Sequence, residues 1–204
     1  MEQYIEYRSQ RHATLRLEFS PSGEFREVVD RFSEIVYPAI SINRELVSFA
    51  LLELVSNSIR AHREKGIADP VTVTMTAKDG FFTTTVQDAG RGFDPGLLPY
   101  DLSAPVEAID MMSDRFSEYR DLHRGSRFGM GLYVARKTFP RFALCFVDGQ
   151  GRPCPWFSGM VKGTRIELGL PLPGPGPAQE AGPGGQSGEC SDLETLETLE
   201  EVDG

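Results

Sequence analysis

Two polar side chains four residues apart open the chemical reading of this chain. Glu53 and Asn57 fall in a run, residues 44–65, whose apolar members Leu51, Leu54, Val55 and Ile59 recur at helical spacing. Positions i and i+4 share a helix face, so a carboxylate and a carboxamide stand together beside an apolar stripe. Taken alone, the pair reads more simply as ordinary solvent-facing polarity. A second group, Asp88-Ala89-Gly90-Arg91-Gly92, begins where a β-branched run ends. Its glycines allow a sharp turn and close approach to a ligand, and a carboxylate at a strand end can accept a hydrogen bond from an exocyclic amine such as adenine N6. A third group, Gly125-Ser126-Arg127-Phe128-Gly129-Met130-Gly131-Leu132, opens a helix. Backbone N–H groups at a glycine-rich helix start make a phosphate cradle. No Lys-Ser/Thr follows these glycines as in a P-loop, and no strand directly precedes them as in a dinucleotide fingerprint. Gly163-Thr164 opens the final apolar run and means little by itself.

The elements that must position these groups follow from periodicity and punctuation. Residues 13–19 alternate and predict a strand, and Ser20-Pro21-Ser22-Gly23 interrupts it. Phe25, Val28, Val29, Phe32, Ile35 and Val36 predict a helix over 25–36. Asn43 caps the next helix, about 44–65, which stops at Gly66. Residues 71–78 and 81–87 are strands joined by Asp79-Gly80, a strong two-residue hairpin signal. Residues 89–128 form a long glycine-punctuated connection with a helix near 106–119, and a connection of that length usually has a function. A helix over 130–138 and strands over 142–147 and 164–170 complete the body. The order predicts an α/β fold of the α+β two-layer kind: a mixed, largely antiparallel sheet with helices on one face.

Composition sets the bounds. The 204 residues are 40% hydrophobic and 25% charged, with a formal charge of −9. That charge is uneven. Residues 173–204 hold eight acidic side chains and no Lys or Arg, which leaves residues 1–172 close to neutral. No basic nucleic-acid footprint exists. No run reaches the roughly 18 apolar residues of a membrane span. The opening Met1-Glu2-Gln3 has no basic or apolar leader character, so no signal peptide is expected. Cys145, Cys154 and Cys190 are odd in number and form no CxxC, which argues against a disulfide framework or a zinc site and for a cytoplasmic setting. Residues 1–172 are expected to form one domain. Residues 173–204, rich in Pro, Gly, Gln and Ser before the Leu193-Glu194-Thr195-Leu196-Glu197-Thr198-Leu199 repeat, are expected to be a disordered acidic tail, with a partner-docking peptide as the alternative.

In this order and at these spacings the four groups resemble the nucleotide-binding boxes of the histidine-kinase-like (GHKL) ATPase superfamily, shared by gyrase, heat-shock chaperones, histidine kinases and MutL. Glu53-Leu54-Val55-Ser56-Asn57 is similar to its N box. Asp88-x-Gly90-x-Gly92 resembles the first glycine box, Gly129-x-Gly131-Leu132 the second, and Gly163-Thr164 the last. The resemblance spans about residues 15–171 and implies the histidine-kinase-like ATPase fold with ATP and Mg²⁺ as cofactors. By position it makes Asn57 the Mg²⁺ ligand and Glu53 the general base. Asp88 would read adenine with help from Thr164. Gly90 and Gly92 would let the backbone pass the base, and Gly129, Gly131 and Leu132 would form the phosphate cradle at a lid. Arg124 and Arg127 would neutralise phosphate charge there, the alternative being a solvated basic turn.

Within the superfamily, 204 residues leave no room for the transducer domain of gyrase, chaperone or MutL relatives. The strand and helix before the N box are similar to the anti-sigma-factor serine/threonine kinases, which bind a sigma factor, phosphorylate an antagonist protein and commonly form homodimers. Two other readings stay open. One is a nucleotide-dependent docking module without phosphotransfer. The other is an orphan catalytic domain of a histidine kinase, for which Phe116-Ser117-Glu118-Tyr119-Arg120 is faintly similar to the F box. His12 lacks the neighbours of a phosphoacceptor. His62 is expected to be a packing or surface residue, and His123 a solvated one. Arg60-Ala61-His62 departs from the His-Ala usual after the anti-sigma N box. Trp156 is expected in the core.

Overall fold

The computed structural model describes residues 3–122 and 130–173. The acidic tail beyond residue 173 and the segment with His123, Arg124, Arg127 and Gly129 lie outside the described residues. The elements run β1 (Ile5–Tyr7), β2 (Gln10–His12), β3 (Thr14–Phe19), α1 (Phe25–Ser33), β4 (Ile35–Val36), α2 (Arg44–Lys65), β5 (Val71–Lys78), β6 (Phe81–Gln87), α3 (Asp114–Leu122), α4 (Met130–Thr138), β7 (Arg141–Val147), β8 (Pro153–Cys154) and β9 (Gly163–Pro171). Short 3₁₀ turns occupy Pro95–Leu97 and Val106–Ala108.

Six strands form an antiparallel sheet in the order β3-β5-β6-β9-β7-β8. Its register explains the apolar alternation. Leu17 pairs with Val73, Val73 with Val86 and Val86 with Ile166, so one buried row crosses four strands. A parallel row runs Leu15, Met75, Thr84, Leu168. Strand side chains alternate between faces, and threonines such as Thr74, Thr76, Thr83 and Thr85 fill the opposite, wetter face of β5 and β6. The buried face takes α2 through Val47, Leu51, Leu54 and Val55 and α4 through Leu132 and Ala135. The two-layer fold expected from the sequence is therefore present. Each large apolar side chain fully withdrawn from water here contributes about 1.5–3 kcal/mol.

The local signals act as their chemistry dictates. The Asn43 side chain accepts the Glu45 N–H at 2.7 Å and starts α2, and Gly66 at φ 64° ends it. Asp79 (φ 52°) and Gly80 (φ 78°) both adopt left-handed geometry, the requirement of the tight hairpin between β5 and β6.

Three expectations need correction. The helix over 25–36 ends at Ser33, because Ile35 and Val36 leave it to pair with Tyr7 and Glu6 of β1. That pairing completes a second sheet, β2-β1-β4, which periodicity did not announce. The helix near 106–119 is instead a 3₁₀ turn followed by α3, shifted toward the C-terminus. Asp110 Oδ1 accepts the Met112 N–H at 2.8 Å, and Ser113 then starts α3 by accepting from Phe116. Trp156 is only half-buried and packs on a satellite cluster of Phe146, Cys154 and Val161 rather than in the main core. Phe157 beside it is 66% exposed.

Candidate functional site

The long connection after β6 is pinned to the helices. Tyr100 stacks on Phe116 of α3 with centroids 6.3 Å apart and meets Tyr133 of α4 edge-on at 6.4 Å. Burial pushes the Tyr100 hydroxyl far above its ordinary titration range. Arg136 of α4 donates to the Ala104 carbonyl at 2.6 Å, and Arg115 of α3 to those of Gly96 and Leu98. This connection therefore has its own small core, which braces it against α3 and α4.

The helix α2 faces α4 with the acid–amide pair. A Cβ placed on Gly131 would sit 2.6 Å from Asn57 Nδ2 and 3.2 Å from Glu53 Cβ. A Cβ there would push the Asn57 amide aside and crowd Glu53 Cβ, so both side chains lie at the α2–α4 junction. Glu53 and Asn57 are each partly exposed. Arg60, one turn further along α2, donates to Asn57 Oδ1 at 2.8 Å.

Asp88 closes the neighbouring edge. It leaves β6 with its backbone N–H donating to the Thr164 carbonyl at 2.9 Å. Its Oδ1 accepts from the Gly90 N–H (2.7 Å) and the Thr164 N–H (3.2 Å). Its Oδ2 accepts from Ser58 Oγ at 3.0 Å, and Ser58 directly follows Asn57 on α2. A carboxylate oxygen has capacity for a second donor, so Oδ2 can take one more hydrogen bond. Gly163 is forced by the same contact: a Cβ there would land on the Asp88 carbonyl oxygen and lie 3.0 Å from its carbon. Gly92 takes φ 66°, and a Cβ on it would meet Phe146 Cδ1 at 2.7 Å.

The structure thus brings together Glu53, Asn57 and Gly131 at one junction, and Asp88, Gly90, Gly163 and Thr164 at the next, linked through Ser58. Thr164 reaches Asp88 through its backbone, and Leu132 is buried in the main core. Sequence reasoning passed over Ser58 and Lys65, and it expected His62 only as a packing or surface residue, of which the packing alternative holds. His62 is fully buried, accepting from the Ala89 N–H, and Lys65 donates to the Gly90 and Gly92 carbonyls. Their signal was present. They continue the sheet-facing stripe of Leu51 and Leu54 at helical spacing, but with polar side chains. Two open clefts of about 280 and 310 Å³ border residues 20–25 and the last turns of α2. Neither is lined by Glu53, Asn57 or Asp88.

The antiparallel sheet with helices on one face thus carries an acid–amide pair on its long helix and an anchored aspartate at a strand end. A family model described as histidine kinase-, DNA gyrase B- and HSP90-like ATPase matches residues 43–174, more than half of the 204 residues, and the chain belongs to that family. The match begins at the cap of α2, so β1 to β4 and α1 precede it. No curated protein and no solved structure matches the chain. The family carries ATP binding with it. Among the described residues, no helix is long and apolar enough to cross a membrane.

Proposed function

We propose that this chain is an ATP-dependent protein serine/threonine kinase of the anti-sigma-factor kind, acting on a regulatory partner. The observation that carries this reading is the shared placement of Glu53 and Asn57 at the α2–α4 junction, one residue from the Ser58 that holds Asp88. Asp88 Oδ2 accepts the adenine amine. Glu53 takes the proton of a serine or threonine hydroxyl on the partner. The hydroxyl oxygen attacks the γ-phosphorus, the bond to the β-phosphate oxygen breaks, and ADP leaves. The partner class implied by the resemblance is a sigma factor or its antagonist, and homodimerisation and a cytoplasmic setting belong to the same reading. Residues 1–172 serve as the catalytic domain in it, with residues 173–204 as an appended acidic tail. Gly129, Arg124 and Arg127 keep their phosphate-facing roles as part of this proposal.

The donor set suits Mg²⁺. Asn57 Oδ1 already accepts from a cationic group, so it presents a hard oxygen to positive charge. Among the described residues no three His, Cys, Asp or Glu side chains converge, and an ion held mainly by phosphate and water needs no such cluster. When bound, Mg²⁺ would neutralise phosphate charge, and Arg60 would have to yield the oxygen.

The departure at Arg60-Ala61-His62 from the His-Ala usual in anti-sigma kinases favours a second reading, in which nucleotide binding controls partner docking without transfer. Incubation with γ-labelled ATP and candidate partner proteins separates the readings. The kinase predicts acid-stable phosphoserine or phosphothreonine on the partner, lost in Glu53→Gln while ADP binding persists. An acid-labile phosphohistidine would move the chain to the histidine kinases, and bound nucleotide with no labelled product would leave the docking module. Full transfer by Glu53→Gln would remove the base assignment.

A further inference from the structure

The last two turns of α2 carry polar groups aimed at the loop after β6. His62 has no solvent exposure, and both ring nitrogens are engaged. Nε2 lies 2.9 Å from the Ala89 backbone nitrogen, which can only donate, so Nε2 is the bare nitrogen of a neutral ring. Nδ1 then carries the proton and donates to the Asp69 carbonyl at 2.9 Å. The ring is a strut between the segment leaving α2 and the residue after Asp88. Three residues on, the Lys65 ammonium donates to the Gly90 carbonyl and, at 3.1 Å, to the Gly92 carbonyl. Arg91 between them is left-handed at φ 61°, as is Gly92 at 66°. A side chain in that region costs energy that surrounding contacts must offset. Lys65 spans this stretch from outside.

The bonds from α2 therefore follow one another along the loop: Ser58 to the Asp88 carboxylate, His62 to the Ala89 N–H, Lys65 to Gly90 and Gly92. We propose that His62 and Lys65 are positioning residues for purine recognition, fixing the Asp88–Gly92 loop so that Asp88 selects an amino-purine. The inference rests on the role given to Asp88 under Proposed function. Lys65 is exposed apart from these bonds, so it can be replaced without opening the core. His62 is the deeper strut, and its tautomer can be observed directly.

Calorimetric titration of the full chain with ADP and with GDP, in wild type, Lys65→Met and Lys65→Arg, tests the inference. Lys65→Met is expected to weaken ADP about threefold to tenfold and to narrow the ADP-over-GDP ratio by a similar factor, as loss of charge-assisted hydrogen bonds implies. Lys65→Arg, which keeps donors, is expected to restore the ratio. A purely structural lysine would move the melting temperature and leave the ratio alone, and that result would overturn the inference. Nitrogen NMR of His62 should show a protonated Nδ1 and a bare Nε2, and a ring protonated at Nε2 would also overturn it. If the wild type takes up no ADP, the nucleotide pocket fails and the inference falls with it. If the wild type prefers ADP and Lys65→Met keeps that preference, only the positioning roles fail.

Discussion

Gly163→Ala strikes the site through backbone contact alone. The new Cβ would overlap the Asp88 carbonyl oxygen, lie 3.0 Å from the carbonyl carbon and 3.4 Å from Ala89 Cα. No flexible side chain is available to swing away, so β9 and the end of β6 must part. Overpacking of this kind costs about 1–3 kcal/mol. Parting also strains the Asp88 N–H to Thr164 carbonyl bond, now 2.9 Å, worth about 1 kcal/mol net. The sum is about 2–4 kcal/mol, or a fall in melting temperature of about 5–15 °C for a domain of this size. The displaced residue is the one assigned to adenine, so ADP affinity should fall by at least about tenfold in the same variant. Gly159→Ala is the matched control, since nothing lies within 4 Å of a Cβ there. Its stability should stay within about 0.5 kcal/mol of wild type. Differential scanning calorimetry and ADP titration read both variants. A Gly163→Ala chain that melts and binds like the wild type would refute the packing of Gly163 on Asp88 and, with it, the position given to Asp88.

Two further perturbations probe other parts of the account. Gly131→Ala places a Cβ 2.6 Å from Asn57 Nδ2, a side chain that can turn aside; stability should fall by only about 1–2 kcal/mol, while Mg²⁺-dependent nucleotide affinity drops at least about tenfold, as thermal melts and titrations with and without the ion will show. Burial pushes the Tyr37 hydroxyl from its ordinary value of 10 up to about 12, although its bond from Ser48 pulls the other way. A raised value means that the buried neutral form stabilises the fold fully below pH 10, and this contribution is lost as pH rises toward 12. Denaturant melts between pH 8 and 11 should therefore show a downward slope that is shallower in Tyr37→Phe; equal slopes would contradict the burial argument.

How much of this could be read from residues depends on where the determining contacts lie. Helix α2 was legible to its ends because Asn43 and Gly66 are local signals, satisfied by neighbours two to four residues away. The β5–β6 hairpin was legible for the same reason, through Asp79-Gly80. The β1–β2 hairpin was not, because its two-residue turn is Arg8-Ser9, left-handed at φ 51° and 62° without glycine or asparagine. Ile35 and Val36 fit a helical period, yet their partners lie about thirty residues earlier, in β1. Of the proposed site, Glu53, Asn57, Asp88, Gly90, Gly92 and Gly131 could be picked out as candidates from spacing and resemblance, and Gly129 lies outside the described residues. The loop contacts of Ser58, His62 and Lys65 could not be picked out, although their helical spacing was visible, since each acts on residues 88–92 and only the packed sheet brings that loop to the last turns of α2. Arg60 on Asn57 was equally invisible, because a four-residue window does not reveal which way an amide turns.

The central claim is that α2 and the Asp88 loop hold an adenine nucleotide together. Calorimetric titration of the full chain with ADP and Mg²⁺, beside GDP and the Asp88→Asn variant, tests it most directly. Saturable ADP heat is predicted, at least about tenfold tighter than GDP, with that preference lost once the acceptor carboxylate becomes an amide. Absence of heat at millimolar ADP, or equal binding of GDP by the wild type, would contradict it.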